Sequence, residues 1–171
     1  MFTDPVKNLR ALGLREDSVV ADLGAGTGFY SIAAGQMVPK GKVYAVEVVK
    51  DFLMTIRNKV KDANLKNVEI IWGDIEKIGG TKIGDGVLDV VIASNVFSQV
   101  EDKQKFIEEI KRILKPKGRV LLIDWAAHSA VSPKGAIPKD KAREMFEKGS
   151  FVVDRDINTE AHHYGMILIK S

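Results

Sequence analysis

Residues 19–28 read Val19-Val20-Ala21-Asp22-Leu23-Gly24-Ala25-Gly26-Thr27-Gly28. A short apolar run ends in an acidic residue, three glycines alternate with small residues, and an amphipathic segment follows. This order predicts a buried strand, a tight turn and the start of a helix. Glycine permits positive φ and leaves no Cβ between the chain and a ligand, while the helix start adds free N–H groups and a positive dipole end. The stretch therefore predicts a nucleotide-binding turn.

The spacing of the glycines separates the classes of nucleotide-binding turn. A dinucleotide-binding turn has the spacing Gly-x-Gly-x-x-Gly/Ala, which from Gly24 requires a small residue at position 29, where this chain has Phe29. A P-loop requires Gly-Lys-Ser/Thr after the glycines, and no lysine follows before Lys40. Neither phosphate-binding pattern fits this turn.

The pattern Asp22-x-Gly24-x-Gly26-x-Gly28 resembles motif I of the class I S-adenosylmethionine-dependent methyltransferases. In that family the loop holds the methionine half of the cofactor. The resemblance implies S-adenosylmethionine as cofactor and contacts to it from Asp22, Gly24, Ala25, Gly26, Thr27 and Gly28.

Composition excludes several classes of protein. The chain has 171 residues, which predicts one domain over residues 1–171 with a sizeable core. It has no cysteine, so disulfides, thiolate metal sites and cysteine nucleophiles are excluded, and a reducing compartment fits. The start, Met1-Phe2-Thr3-Asp4-Pro5, does not resemble a signal peptide, and no apolar run reaches the roughly 18 residues that span a bilayer. We expect a cytoplasmic protein without a membrane span.

The charge pattern gives little support for a nucleic-acid partner. The formal charge is +3, but acidic residues interrupt the densest basic stretch, residues 103–117, and no aromatic residues alternate with its lysines as in a nucleic-acid-binding surface. We interpret this stretch as a solvated helix face with i, i+4 ion pairs.

Apolar β-branched runs alternate with helical periods, which predicts a parallel sheet with helices on both faces. Asp4 is expected to cap the first helix, and a polar turn makes the last two strands an antiparallel pair. A turn at Lys115-Pro116-Lys117-Gly118 is expected to end the long fourth helix and start a strand. In chain order the predicted helices cover residues 4–12, 29–37, 50–63, 102–114 and 139–148, and the strands cover 19–23, 42–47, 68–72, 87–93, 119–125, 151–156 and 163–169.

This order of elements again resembles the class I methyltransferase fold over essentially the whole chain. The resemblance implies a three-layer α-β-α, Rossmann-like architecture with a seven-stranded, mostly parallel sheet. The implied strand order is 3-2-1-4-5-7-6, with an antiparallel last strand.

Ligands of open α/β sheets bind outside the carboxyl ends of the strands, so the residue that ends each strand is informative. The second strand ends in Glu47, whose carboxylate can accept two hydrogen bonds from a ribose diol, as the family uses that position. Val48 would then lie under the adenine. The family also places an acidic residue after the third strand, here Asp74, at the adenine amine, with Ile75 packed on the ring. Asp74 can equally cap the turn that follows it.

The fourth and fifth strands end where the family places the sulfonium and the acceptor. Ser94 and Asn95 follow the fourth strand and lack the Asn/Asp-Pro-Pro-aromatic motif of nucleobase amino methyltransferases. The remaining likeness is to small-molecule methyltransferases related to ubiquinone/menaquinone C-methyltransferases. Trp125 and His128 follow the fifth strand as candidates for orienting or deprotonating the acceptor, although His128 can equally be a surface histidine. His162 and His163 form no cluster with metal-ligand spacing, so no metal is predicted.

Two other functions remain open at this stage. One is a nicotinamide-dependent reductase with Glu47 on the ribose, against which Phe29 argues. The other is a non-catalytic cofactor-binding module or partner subunit, because quinone methyltransferases carry a longer N-terminal lid than residues 1–17 supply. The cover of the site could come from residues 126–138, from a second protomer in a homodimer, or from the substrate. The identity of the small-molecule acceptor, and whether C, N or O is methylated, is not encoded in any motif.

Overall fold

The computed structural model describes residues 3–171, in which helices and strands alternate. Met1 and Phe2, which belong to the stretch that does not resemble a signal peptide, lie outside the described residues. In chain order the elements are α1 Pro5–Leu12, β1 Val19–Leu23, α2 Phe29–Met37, β2 Lys42–Glu47, α3 Lys50–Asp62, β3 Val68–Trp72, β4 Leu88–Ser94, α4 Lys103–Ile113, β5 Leu114–Trp125, α5 Lys139–Lys148, β6 Phe151–Ile157 and β7 His163–Lys170.

One seven-stranded sheet connects these elements in the order β3-β2-β1-β4-β5-β7-β6. The strands from β3 to β5 pair in parallel, and β7 pairs antiparallel with both β5 and β6. The expected strand order and the antiparallel last pair are confirmed. Since β1 lies between β2 and β4, the chain reverses its direction of winding at β1, and the carboxyl ends of these strands flank a crevice.

Two apolar cores cover the two faces of the sheet. On one face, Leu9 and Leu12 of α1 and Ala34 of α2 pack with Val20 and Ile92 of the sheet. On the other face, α4 and α5 pack against the alternate residues of the same strands, with the largest buried side chains contributed by Phe97, Phe106, Phe146 and Phe151. The three-layer α-β-α architecture follows from this alternation, because a strand buried on both faces must be covered by helices twice.

The first helix begins as its sequence predicts. Asp4 is the N-cap of α1, and its Oδ1 accepts hydrogen bonds from the amides of Val6 and Lys7 at 3.0 and 3.3 Å. Pro5 occupies the first helical position, where a missing N–H removes no helical hydrogen bond. Gly13 ends the helix in the left-handed conformation.

The predicted turn at residues 115–118 is wrong as a separator between α4 and β5. Leu114 already has extended backbone angles and pairs with Leu88, so β5 begins directly after α4. Residues 115–118 then form a bulge in the strand, since pairing resumes only at Val90 and Arg119. Lys117 takes a positive φ of 64° in this bulge. Other predicted boundaries differ by one residue, as frayed ends do.

Candidate functional site

A cavity of about 700 Å³ opens at the carboxyl ends of β1, β2, β3 and β4. It lies where the direction of winding reverses, the usual ligand position in such sheets. Eleven of the twelve predicted cofactor-binding residues line it, with Gly28 left just outside: Asp22, Gly24, Ala25, Gly26, Thr27, Glu47, Val48, Asp74, Ile75, Ser94 and Asn95.

The three glycines of the turn all have positive φ, at 69° for Gly24, 55° for Gly26 and 87° for Gly28. A Cβ on Gly24 would lie 2.5 Å from Cγ2 of Val96, and one on Gly28 would lie 3.1 Å from Cγ1 of Ile56. A Cβ on Gly26 would meet no atom within 4 Å. The outer glycines therefore allow close packing, and Gly26 exposes bare backbone to the cavity.

Glu47 ties the glycine turn to the tip of β2. Its Oε2 accepts a hydrogen bond from the amide of Gly26 at 2.8 Å, and its Oε1 accepts from the amides of Val48 and Val49 at 2.9 and 3.0 Å. The residue is only 7% exposed. These bonds hold the carboxylate in one orientation at the cavity wall, and they also satisfy two amides at the start of α3.

Asp22 lies beneath the turn with 3% of its surface exposed. The hydroxyl of Ser31 donates a hydrogen bond of 2.7 Å to its Oδ2. Burial raises the pKa of Asp22 to about 6, because desolvation disfavours the charged form, and the nearby charge of Glu47 adds to this effect while the hydrogen bonds from Ser31 partly offset it. Asp22 can therefore change its charge near neutral pH.

Asp74 performs the structural role that its sequence position suggested, and it also faces the cavity. Its Oδ1 accepts a hydrogen bond from the amide of Glu76 at 2.9 Å, which caps the turn after β3. Its Oδ2 lies 3.6 Å from Nζ of Lys77, a surface pair of small energetic weight. Ile75 lies beside it along the cavity wall. The two roles weighed for Asp74 are compatible.

Asn95 directly follows β4 in a strained conformation, with φ of 56°. Its amide donates to the carbonyl of Ile123 at 2.8 Å, and its carbonyl accepts from Nε2 of Gln99 at 2.6 Å. Its side-chain Oδ1 is buried and has no hydrogen-bond partner within residues 3–171. A buried acceptor without a donor costs about 1–3 kcal/mol, and such strained residues cluster at ligand sites.

The structure places the predicted acceptor residues of β5 away from this cavity. Trp125 packs against the ring of His163, with centroids 4.2 Å apart, and neither Trp125 nor His128 is part of the cavity lining. Asp124 is 1% exposed and accepts hydrogen bonds from Ser98 and from the amide of Trp125. Asp124 thus satisfies backbone and hydroxyl donors. The roles of Trp125 and His128 stay predictions.

No sequence motif indicated that the start of α1 would form a wall of the cavity. Thr3, Asp4 and Pro5 line the cavity together with Tyr30 from the first turn of α2. The hydroxyl of Tyr30 lies 2.8 Å from Oγ1 of Thr3 and accepts a hydrogen bond of 2.9 Å from the side-chain Nδ2 of Asn8. Residues 22 to 27 apart in sequence meet here, and no local pattern signals such contacts. Glu76 and Gln99 are further lining residues that motif analysis missed.

The described part of the chain was also compared with the requirements of a metal site and of a membrane-spanning helix. Within residues 3–171, histidine, aspartate and glutamate form no group of three or more that could hold a metal ion. The helices of this part of the chain are all too short or too polar to cross a membrane.

Comparison with known proteins places the chain in a family. A family model described as a methyltransferase domain matches residues 14–164. The chain belongs to the methyltransferase domain family. A solved S-adenosylmethionine-dependent methyltransferase from Aquifex aeolicus is 29% identical to it, with a TM-score of 0.89 over 99% of this chain and 91% of that one.

Two curated relatives bear on the class of reaction. An arsenite methyltransferase of Halobacterium salinarum is 34% identical over 106 residues, covering 61% of this chain and 26% of that protein. A demethylmenaquinone methyltransferase of Geobacillus is 27% identical over 117 residues, covering 68% and 49%. This methyltransferase domain thus spans between a quarter and half of the length of these relatives. The expected resemblance to small-molecule methyltransferases is confirmed.

Proposed function

We propose that this methyltransferase domain transfers the methyl group of S-adenosylmethionine to a small-molecule acceptor. Its family membership supports this function and disfavours the nicotinamide-dependent reductase. When bound, S-adenosylmethionine supplies a sulfonium that already activates its methyl group, so the protein needs to position two reactants and exclude water.

The observation that carries the proposal is the turn at Gly26. Its backbone faces open space in the cavity, and its amide donates a hydrogen bond to the Glu47 carboxylate. Such a cradle fits the amino-acid portion of the cofactor. The Glu47 carboxylate, fixed by three amides, would hold the ribose diol, and Asp74 with Ile75 would hold the adenine. A cavity of about 700 Å³ has room for a nucleoside cofactor and a small molecule beside it.

The test of this site is the affinity for S-adenosylhomocysteine, measured by calorimetry. Gly26→Val should abolish binding, because the side chain would fill the space that the ligand needs. Glu47→Ala should weaken binding by about 1.5–3 kcal/mol through lost charge-assisted hydrogen bonds. The matched control is Gly86→Val, because Gly86 also has a positive φ of 60° and open space at its Cβ but does not line the cavity.

Wild-type affinity in both cavity variants would refute the site. Binding of NADH in preference to S-adenosylhomocysteine would favour the reductase instead. A protein that binds S-adenosylhomocysteine tightly but yields no methylated product from S-adenosylmethionine and any acceptor would match the non-catalytic alternative.

We further propose that the protein works in the cytoplasm, which its lack of cysteine supports. A homodimer, in which a second protomer covers the cavity, stays a prediction that sedimentation analysis can test.

A further inference from the structure

The charge of the cavity differs from the charge of the chain. The protein carries a formal charge of +3, yet five of the cavity-lining residues are acidic, and none of the lining residues within residues 3–171 is lysine, arginine or histidine. The five acidic residues are Asp4, Asp22, Glu47, Asp74 and Glu76. Three lysines reach the lining from outside. Nζ of Lys77 lies 3.6 Å from Asp74, Nζ of Lys59 lies 4.0 Å from the ring centroid of Phe29, and Nζ of Lys103 donates a hydrogen bond to the carbonyl of Val100. Lys77 is exposed, and Lys59 and Lys103 are half-buried.

Most of the hydrogen-bond donors to these carboxylates are uncharged. Glu76 accepts from the amides of Glu101 and Asp102 at 2.7 and 2.9 Å, Asp4 accepts from the first amides of α1, and Asp22 accepts from a serine hydroxyl. Such hydrogen bonds fix the position of a carboxylate without neutralising its charge. Burial is the main cause of the raised pKa of Asp22, and the nearby charge of Glu47 raises it further by a smaller amount. The cavity therefore has a negative potential, which low-dielectric walls focus.

The contacts proposed for the cofactor involve only some of these carboxylates. Glu47 and Asp74 are assigned to the ribose and the adenine, which are neutral. Asp4 and Glu76 remain on the walls formed by α1 and by the segment after β3. The buried Oδ1 of Asn95 also requires a donor, as an N–H group could supply. An acceptor with a carboxylate or phosphate would be repelled here and would leave Asn95 unsatisfied.

The reaction itself discriminates between nucleophiles in such a field. Methylation at oxygen, or at the carbon of an enolate, proceeds through an anion that neighbouring carboxylates destabilise. Apart from the sulfonium that the cofactor itself would bring, no lining residue of the described chain is a cation that could stabilise this anion. An amine reacts as an uncharged base and becomes a cation, which carboxylates stabilise. We propose that the acceptor is an amine and that this protein is an N-methyltransferase, an inference that rests on the methyl-transfer function proposed above.

The step balances without a further reactant. The ammonium form of the amine first releases one proton to water. The nitrogen lone pair then forms a bond to the methyl carbon, the carbon–sulfur bond breaks with its electron pair kept on sulfur, and the product is an alkylammonium ion and S-adenosylhomocysteine. The surrounding carboxylates bind the amine and its cationic product.

The charge preference can be measured without knowing the natural acceptor. Amino-TEMPO and carboxy-TEMPO are nitroxides of one skeleton and opposite charge, and each broadens NMR signals of nearby amides. In the complex with S-adenosylhomocysteine, amino-TEMPO should broaden the amides of Ser94, Asn95 and Gln99 at least about twofold more than carboxy-TEMPO does. The net charge of the protein favours the opposite result, so a cation preference must arise locally. Equal or greater broadening by carboxy-TEMPO would overturn the proposal.

A pair of variants shows whether the cavity carboxylates cause the preference. Asp4→Asn removes one charge and keeps a good helix cap, since asparagine caps as well as aspartate. It should reduce the broadening ratio by about twofold. Asp17→Asn makes the same charge change beside Arg15, before β1 and outside the cavity lining, and should leave the ratio unchanged. An equal effect of the two variants would overturn the proposal.

Methyl transfer gives a second measurement. With S-adenosylmethionine as donor, benzylamine should be methylated faster than benzyl alcohol or benzoate, and faster transfer to either of the latter would overturn the assignment to nitrogen. Failure of S-adenosylhomocysteine to bind would instead contradict the methyltransferase function, and the nitroxide ratio of the protein alone would still decide the charge preference.

Discussion

Asp22 shows how one residue combines a structural and an electrostatic role. It is the second-to-last residue of β1, accepts a hydrogen bond from the hydroxyl of Ser31, and is almost fully buried. Its pKa is raised to about 6, chiefly because burial disfavours the carboxylate. Folding therefore favours the protonated acid over the ionised form, in contrast to most surface carboxylates, which folding favours as anions.

This pKa predicts a stability difference with a definite sign. Between the unfolded pKa of about 4 and the folded value of about 6, the folded state binds more protons than the unfolded state. The free energy of unfolding of the wild type, minus that of Asp22→Asn, should therefore fall by up to about 3 kcal/mol as the pH rises from 4 to 7. Urea denaturation at several pH values measures this difference.

Asparagine is the matched control, because its side-chain oxygen can still accept the hydrogen bond from Ser31 while it cannot titrate. A difference that stays constant over this pH range would show that Asp22 keeps an ordinary pKa in the folded protein.

At the scale of the elements, α1 closes one wall of the cavity and is held there by a polar cluster. Asn8 is 3% exposed and donates to the hydroxyl of Tyr30, which also bonds Thr3 at the start of the helix. The apolar residues Leu9 and Leu12 fix the helix to the sheet, and the polar cluster fixes its N-terminal end to α2. The cluster therefore couples the position of a cavity wall to the helix that follows the glycine turn.

Tyr30→Phe tests this coupling. Loss of the hydroxyl leaves Asn8 and Thr3 buried without their partner, which should reduce the free energy of unfolding by about 1–3 kcal/mol. Amides of α1 should exchange with solvent faster, while those of α4 should exchange at a rate that reflects only the global change. Hydrogen exchange followed by NMR measures both. Unchanged protection of α1 would mean that its apolar face alone holds it in place.

For the whole molecule, the largest aromatic side chains of the core lie outside the cavity lining. The cavity is bounded by α1, α2, α3, the strand ends and the segments after β3 and β4, and it shares Val46 and Val100 with the core under α4 and α5. Deeper in that core lies a chain of aromatic rings. Phe97 lies 5.3 Å from Phe146, and Phe146 lies 5.6 Å from Phe151, between ring centroids. None of these three rings lines the cavity. Stability and ligand affinity should therefore respond to different substitutions.

Phe146→Leu should lower the free energy of unfolding by about 1–2 kcal/mol, because it removes buried atoms and disturbs two ring contacts. The affinity for S-adenosylhomocysteine should stay within about twofold of wild type, at a temperature where both proteins are folded. Denaturation and calorimetry on one preparation give both values. Gly26→Val should instead lose its affinity for S-adenosylhomocysteine, in addition to the stability that valine loses at a φ of 55°. A large loss of affinity in Phe146→Leu would show that the aromatic core also shapes the cavity.

Local patterns predicted the elements and a large part of the cavity lining. The strand-turn-helix at residues 19–37 follows from apolar alternation and glycine spacing, and Glu47 and Asp74 follow from their places at strand ends. These features depend on residues close in sequence. The strand order followed from resemblance, since periodicity alone contains no information on which strands pair.

The tertiary structure alone decided which further residues line the cavity. Thr3, Asp4, Pro5, Tyr30 and Gln99 belong to the lining, whereas Trp125, which packs on His163, and His128 do not. The sequence patterns also did not indicate the bulge at residues 115–118, or that the charged residues of the described cavity lining are all acidic. The physical reason is that a strand or turn forms from neighbouring residues, whereas the composition of a cavity depends on side chains that only folding brings together.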